Sequence, residues 1–324
     1  MRGGEQAGPG ETVAVVVVTY NRADLLEECL RALTRSTRAP DAVIVVDNAS
    51  SDRTPELLQE LQVEGVLPLQ VIRSEDNLGG AGGFHRGVAA AYEGGYDRFW
   101  LMDDDVMADP RCLEVLMGHP GPALMAVRED REGRICEKAA TDFDLTHPWA
   151  VRPKREMVEQ RHPTRAAMPA EIPLQNVAFE GFMVHRDVVR SVGLPDPGFF
   201  IFYDDVDFAL RTRRAGYPIV ALRDAVLVRQ LDFDQQHDMR GWKGYYMYRN
   251  LFVVHRRYGE NALVRWKPLL VTFAVLLLSP LRGGRAEAGN VWRAWRDSAA
   301  LAGTRPPAAP LDSGADPNPE EPRS

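Results

Sequence analysis

Four short apolar runs, separated by single helical stretches and each ending on a polar cluster, leave this chain few ways to fold. Val13 to Val18 is continuous and mostly β-branched, the pattern of a strand covered on both faces. Asp24 to Leu33 follows, with Leu25, Leu26, Cys29, Leu30 and Leu33 on one helical face. A second run spans Val43 to Val46. Thr54, with Pro55 behind it, predicts the N-cap and first position of a helix reaching Leu61. Leu69 to Ile72 is the third strand, Val88 to Tyr92 lies in a third helix, and Phe99 to Met102 is the fourth strand. Strands alternating with single helices predict an α/β fold, a Rossmann-like, mostly parallel sheet with helices on both faces.

The second half is less regular. Arg128 to Pro173 is polar and Pro-dotted and reads as loops with one short hairpin. Phe179 to His185, Phe199 to Tyr203, Tyr217 to Val220 and Ala225 to Val228 have strand composition, with helices expected over Asp187 to Val192 and Asp205 to Ala215. Residues 1–11 and 304–324 lack apolar periodicity and are expected to be disordered. Between them the expected units are a domain over 12–260, with halves at about 12–110 and 174–260, and a C-terminal helical extension over 261–303.

That extension contains Trp266 to Leu281, an apolar run flanked by Arg256, Arg257, Arg265, Lys267, Arg282 and Arg285. At ~1.5 Å per residue such a helix is shorter than the ~30 Å hydrocarbon core. A buried helix, an interfacial helix held by its basic flanks to anionic lipid, and a membrane span are the three readings of it. The 46 acidic against 39 basic residues argue against a chain that wraps nucleic acid. Cys29, Cys112 and Cys136 form neither a CxxC pair nor an even set, and no basic-then-apolar leader opens the chain. The expectation is therefore a reducing, cytoplasmic location.

The strongest chemical signal is Asp103-Asp104-Asp105, directly after the fourth strand. Ligands of open α/β sheets bind beyond the carboxyl ends of strands. An extended chain would point Asp103 and Asp105 to one side, where two close carboxylates repel unless a cation neutralises them. Mg²⁺ and Mn²⁺ prefer such oxygen ligands and leave positions open for phosphate oxygens, although a solvated acidic turn needs no ion. Polar clusters also close the other three strands: Thr19-Tyr20-Asn21-Arg22, Asp47-Asn48-Ala49-Ser50, and the glycine-rich Asn77 to Phe84. The glycines would let a backbone approach a ligand at a helix start. They do not make a dinucleotide fingerprint, because His85 stands where the third Gly belongs, and no GxxxxGK[ST] loop exists. A second acidic cluster, Asp204, Asp205 and Asp207, opens a helix. Capping explains carboxylates there, and so does a general base acting on a sugar hydroxyl, with Glu180 lining the same cleft.

Taken in order, Val18 to Arg22, Val46 to Asp52, Asn77 to Phe84, Leu101 to Asp105, Phe202 to Phe208 and Arg211 to Tyr217 resemble family 2 glycosyltransferases, inverting enzymes of the GT-A fold. The resemblance covers about Val13 to Tyr258. The NxGGAGGF element joined to LMDDD is most similar to the galactofuranosyltransferases of actinobacterial cell-wall assembly, with rhamnosyltransferases close behind. It implies that Thr19, Tyr20, Arg22 and Asp47 hold a nucleoside, with Asn77 near its phosphates or ribose. Asp103 and Asp105 would hold a divalent metal, Mn²⁺ or Mg²⁺, and Asp104 would lie nearer the ribose or sugar. Asp205 would be the catalytic base, and Asp204 would bind sugar hydroxyls.

One departure stands out. Members of the family commonly place a metal-binding His after the strand read at Ala225 to Val228, where this chain has Arg229-Gln230. Either His237 is displaced into that role by a longer loop, or Arg229 neutralises phosphate directly. Trp242, Tyr245, Tyr246 and Arg249-Asn250 suit an acceptor wall and a core helix face equally well. The expected activity is metal-dependent transfer of galactofuranose from a UDP-sugar to a polyprenyl-diphosphate-linked cell-wall glycan, at the inner face of the membrane. Rhamnose transfer from dTDP-rhamnose is the rival, and a nucleotidyltransferase or a non-catalytic sugar-nucleotide-binding partner stands further off.

Overall fold

A computed structural model describes residues 10–150, 152–231, 239–279 and 284–310. The first half alternates as expected: β1 (Val13–Thr19), α1 (Ala23–Leu33), β2 (Ala42–Asp47), α2 (Thr54–Glu64), β3 (Leu69–Arg73), α3 (Gly79–Glu93) and β4 (Arg98–Asp103). β1 shows why a β-branched run suffices. Its even-numbered side chains pack on Phe84 and Val88 of α3, while Val13, Val15 and Val17 pack on Leu26 and Leu30 of α1 and Leu57 of α2. With both faces covered, alternation disappears from the sequence. At α2 the cap differs in detail from expectation, since the Asp52 side chain accepts from the Thr54 N–H at 3.0 Å.

The chain then continues through β5 (Val106–Ala108), α4 (Cys112–Met117), β6 (Ala123–Glu129), β7 (Ala140–Phe143), β8 (Lys154–Met157), α5 (Val158–Arg161), β9 (Glu171–Leu174), β10 (Phe182–His185), α6 (Arg186–Val192), α7 (Asp204–Arg214) and β11 (Ile219–Arg229). Strand order in the main sheet is β3-β2-β1-β4-β10-β6-β11-β5, with β9 paired to β11. β1 to β4 are mutually parallel, and β10 is inserted antiparallel between β4 and β6. β1 therefore lies between β2 and β4, and the order reverses there, which opens a crevice at the carboxyl ends of β1 and β4. β7 and β8 form the separate hairpin expected in the polar stretch.

Two strand expectations are corrected. Phe199 to Tyr203 is aromatic enough for a strand, yet a 3-10 turn at Pro197–Phe199 leads into Phe200, Phe202 and Tyr203 with φ of 64°, 65° and 66°. Left-handed backbone cannot continue a ladder. The two strands expected over Tyr217 to Val228 are one, β11, whose register shifts between Leu222 and Val226 and ejects Arg223 and Asp224 as a mutual ion pair at 3.0 Å. Glu11 pairs with Arg98 and the Pro307 carbonyl accepts from the Leu194 N–H at 2.9 Å, while residues 1–9 and 311–324 of the two expected tails lie outside the described residues.

Three helices close the fold: α8 (Trp242–Tyr258), α9 (Ala262–Leu278) and α10 (Gly284–Gly303). Val271, Val275 and Leu276 of α9 pack on a cluster built from Tyr248 and Phe252 of α8 and Val291 and Ala294 of α10. The opposite face of α9 is uncovered. Leu263, Trp266, Leu270, Phe273 and Leu277 are exposed, Phe273 to 71% and Leu277 to 74%. A wholly buried helix is thereby excluded, and among the described residues no helix is long and apolar enough to cross a membrane.

Candidate active site

The three aspartates form a tight turn between β4 and β5, rather than the extended segment of the expectation. Asp104 faces β1: the Thr19 hydroxyl donates to it at 2.7 Å and Arg22 pairs with it at 3.1 Å. Asp105 shares that Arg22, at 3.5 Å, and together with Asp103 it meets Glu180, one carboxylate oxygen of each of the three lying within 4.8 Å of the others. Burial pushes the Asp104 carboxyl up to about 6, against the pull of Arg22 and Thr19. Burial raises Asp103 and Asp105 as well, and the charge of Glu180 adds to both shifts. Asp105 Oδ1 is buried with no hydrogen-bond partner among the described residues. Three clustered hard oxygen donors, one of them an orphaned acceptor, fit a divalent cation.

Glu180 is held by two arginines, Arg128, absent from the expected site, and Arg229, expected to neutralise phosphate. Arg128 ends β6 and makes a two-point pair with Glu137, at 3.0 and 2.9 Å, while also reaching Glu180. Arg229 ends β11 and lies 3.8 Å from Glu180. For Glu180, burial favours the neutral acid, but Arg128 and Arg229 outweigh it and hold the carboxyl below its ordinary value. The only sequence signal for Arg128 is a charge closing the buried run Ala123 to Val127.

Thr19, Tyr20, Arg22 and Asp47, expected to hold a nucleoside, cluster at the ends of β1 and β2. Asp47 is buried, accepting from the Ser50 N–H at 2.9 Å and from Arg73, a second residue missed, at 2.9 Å. Tyr20 is exposed at the mouth. Asn77 accepts from the Gly79 N–H at 2.8 Å, so it shapes the turn into α3. The glycine run mostly serves packing. A Cβ at Gly79 would lie 2.1 Å from the Phe200 carbonyl oxygen, and one at Gly83 2.4 Å from Val18, whereas Gly80 faces open space. Gly79 also has φ of 69°, which a side chain would strain. His237 lies outside the described residues.

Asp204 and Asp205 open α7. Burial raises both carboxyls, Asp205 against the opposing charge of Lys154. Glu180 adds to the rise at Asp205 as it does at Asp105, so both acidic clusters feel its charge. Asp207 belongs to the scaffold: it is fully buried and bound by Tyr258 at 2.6 Å, Arg257 at 2.8 Å and Arg211 at 2.9 Å. The α8 residues of the expected wall divide: Trp242 and Tyr246 gather with Phe200, the Phe200 and Tyr246 rings stacking at 5.0 Å, Tyr245 donates to Asp297 at 2.9 Å, and Asn250 is core.

The acidic turn lies at the switch point of the sheet, and the model of the family described as Glycosyl transferase family 2 matches residues 14–119. The chain belongs to this family and is a glycosyltransferase. Galactofuranosyltransferase GlfT1 of Mycobacterium tuberculosis (strain H37Rv) is 31% identical over 226 residues, 69% of this chain and 72% of the relative. The N-acetylglucosaminyl-diphospho-decaprenol L-rhamnosyltransferase of the same organism is 24% identical over 238 residues, 64% of this chain and 72% of that protein. Mannosyltransferase PcManGT from Pyrobaculum calidifontis, solved with GDP-Man and Mn²⁺, shares the fold with a TM-score of 0.54 at 19% identity, over 91% of this chain and 77% of that one.

Proposed function

We propose that the chain is an inverting galactofuranosyltransferase that uses UDP-galactofuranose and acts on a polyprenyl-diphosphate-linked glycan. The observation that supports this reading is the acidic turn at the ends of β1 and β4, which meets Glu180, together with Asp205, whose carboxyl feels the charge of the same Glu180. The similarity to GlfT1 favours galactofuranose. Thr19, Tyr20, Arg22, Asp47, Asn77 and Asp104 line the donor side, where Arg22 orients the acidic turn and Asp104 is placed for a ribose or sugar hydroxyl. Asp205 takes the proton from the acceptor hydroxyl as its oxygen bonds to the anomeric carbon, and the bond to the diphosphate breaks on the opposite face, inverting the centre. Asp204 orients sugar hydroxyls. Mg²⁺ or Mn²⁺ bound at Asp103 and Asp105 would supply the charge that stabilises the departing nucleoside diphosphate.

The rhamnosyltransferase relative, whose name specifies a diphospho-decaprenol acceptor, motivates both the lipid-linked acceptor and the second reading, transfer from dTDP-rhamnose. The uncovered face of α9 fits peripheral contact with the inner membrane surface, where such an acceptor would be met. Incubation with each donor, Mn²⁺ and a lipid-linked acceptor, read by released nucleoside diphosphate and by product mass, separates the two. Galactofuranosyl transfer is expected, with Asp205→Asn lowering turnover about 10²–10⁴-fold. Transfer of rhamnose alone would move the assignment to the second donor, and unchanged turnover in Asp205→Asn would remove the assigned base.

A further inference from the structure

Resting on the metal-dependent reading above, we infer that Glu180 is the third protein ligand of the cation, with Arg229 and Arg128 as its positioning residues. A guanidinium has no lone pair to offer a metal, so Arg229 cannot act as a ligand. Glu180 offers an oxygen within 4.8 Å of both Asp103 and Asp105, and Asp105 Oδ1 is a buried acceptor with no partner among the described residues. Charge points the same way. Asp103, Asp104, Asp105, Glu137 and Glu180 face Arg22, Arg128 and Arg229, five carboxylates against three guanidiniums, and a divalent cation offsets the remaining two charges. An arginine at the end of β11 and a glutamate before β10 thus act as a compensated pair.

The backbone that presents Glu180 is fixed. The next residue, Gly181, has φ of 107°, donates its N–H to the Leu101 carbonyl at 2.8 Å and accepts from the Trp100 indole at 3.3 Å. A Cβ there would lie 2.7 Å from Leu227. Glu180 is therefore anchored to β4, the strand that delivers Asp103.

Mn²⁺ binding by the full chain, titrated by electron paramagnetic resonance with UDP present, tests this without reference to turnover. Glu180→Gln is expected to weaken Mn²⁺ binding at least tenfold, on the scale seen when metal-site partners are lost. Adding Arg229→His to that variant returns a neutral ligand from β11 and is expected to restore most of the affinity. Thermal unfolding of each variant checks the fold. Should Glu180→Gln fail to melt cooperatively, Glu180→Asp, which keeps the charge but retracts the oxygen, is expected to show the same loss. Glu180→Gln binding within twofold of the parent while Asp105→Asn loses the ion would overturn the inference and leave the metal reading intact. A parent chain that binds no Mn²⁺ would overturn the metal reading itself.

Discussion

Asn250 is fully buried on α8, and its amide donates to three backbone carbonyls, those of Phe199, Ile201 and Phe202, at 3.0, 2.7 and 2.9 Å. These carbonyls belong to the segment with three residues in left-handed backbone, each costing about 1–3 kcal/mol. The segment ends directly at Asp204. One core side chain thus holds the strained turn that delivers the proposed base, and the ring of Phe200 on that turn stacks on Tyr246. Asn250→Ala leaves the carbonyls without their donor and is expected to cost roughly 2–3 kcal/mol at ~1 kcal/mol per hydrogen bond. Turnover should fall about tenfold as the turn loosens. Urea unfolding and steady-state rates on the same samples check both, and an active but less stable variant would show that the turn is held by other contacts.

At the scale of an element, α9 is a helix with one face committed and one face open. The buried side carries Val264, Lys267 and Thr272, and Lys267 donates to the carbonyls of His147 and Ala150 at 2.8 and 2.9 Å, so the helix is tied to the β7–β8 hairpin. The outer side repeats Leu263, Trp266, Leu270, Phe273 and Leu277 at helical spacing, and Arg265, Arg293 and Arg296 are exposed on α9 and α10. An apolar stripe rimmed by cations suits the boundary of an anionic bilayer. Trp266→Ser with Phe273→Ser is expected to lower binding to phosphatidylglycerol-containing vesicles about a hundredfold, from ~1.5–3 kcal/mol per large apolar side chain withdrawn from lipid. Vesicle sedimentation measures it. Turnover on a short water-soluble acceptor should hold, and equal sedimentation of parent and variant would exclude this face as the membrane contact.

Over the whole molecule, acid stability depends on how the helical extension meets the catalytic domain. His255 is buried on α8, and burial, followed by the charge of Lys267 on α9, lowers its pKa from the ordinary 6.5 to about 4. Between those values the unfolded chain binds a proton that the folded chain refuses, so stability is present above pH 6.5 and is lost as pH falls toward 4. Fully expressed, the effect is roughly 3 kcal/mol, at ~1.4 kcal/mol per pH unit. His255→Met is expected to flatten this part of the stability–pH curve in urea titrations between pH 4.5 and 7. Parallel curves for parent and variant would show that other groups set the acid limit.

Much of the architecture was legible before folding, and the reason is local. Val13 to Val18 and Val43 to Val46 are β-branched without interruption because both faces of their sheet are covered, and the polar residues after them necessarily fall on one edge. The acidic turn and the helix-opening pair of Asp204 and Asp205 were legible in the same way, as short patterns attached to an element end. Phe199 to Tyr203 was not, since aromatic residues suit a strand and a cage around Asn250 alike, and the choice rests on a side chain 50 residues away. Arg128 and Glu180 are 52 residues apart and meet because β10 is inserted antiparallel beside β6. The sequence alone therefore determined the four parallel strands β1 to β4, the helices between them and the edge that carries the candidate site, but not β5, β6 and β9 of the same sheet. Which carboxylate joins Asp103 and Asp105, and which face of α9 stays uncovered, was decided only when distant strands and helices packed, because those contacts join residues that no local pattern relates.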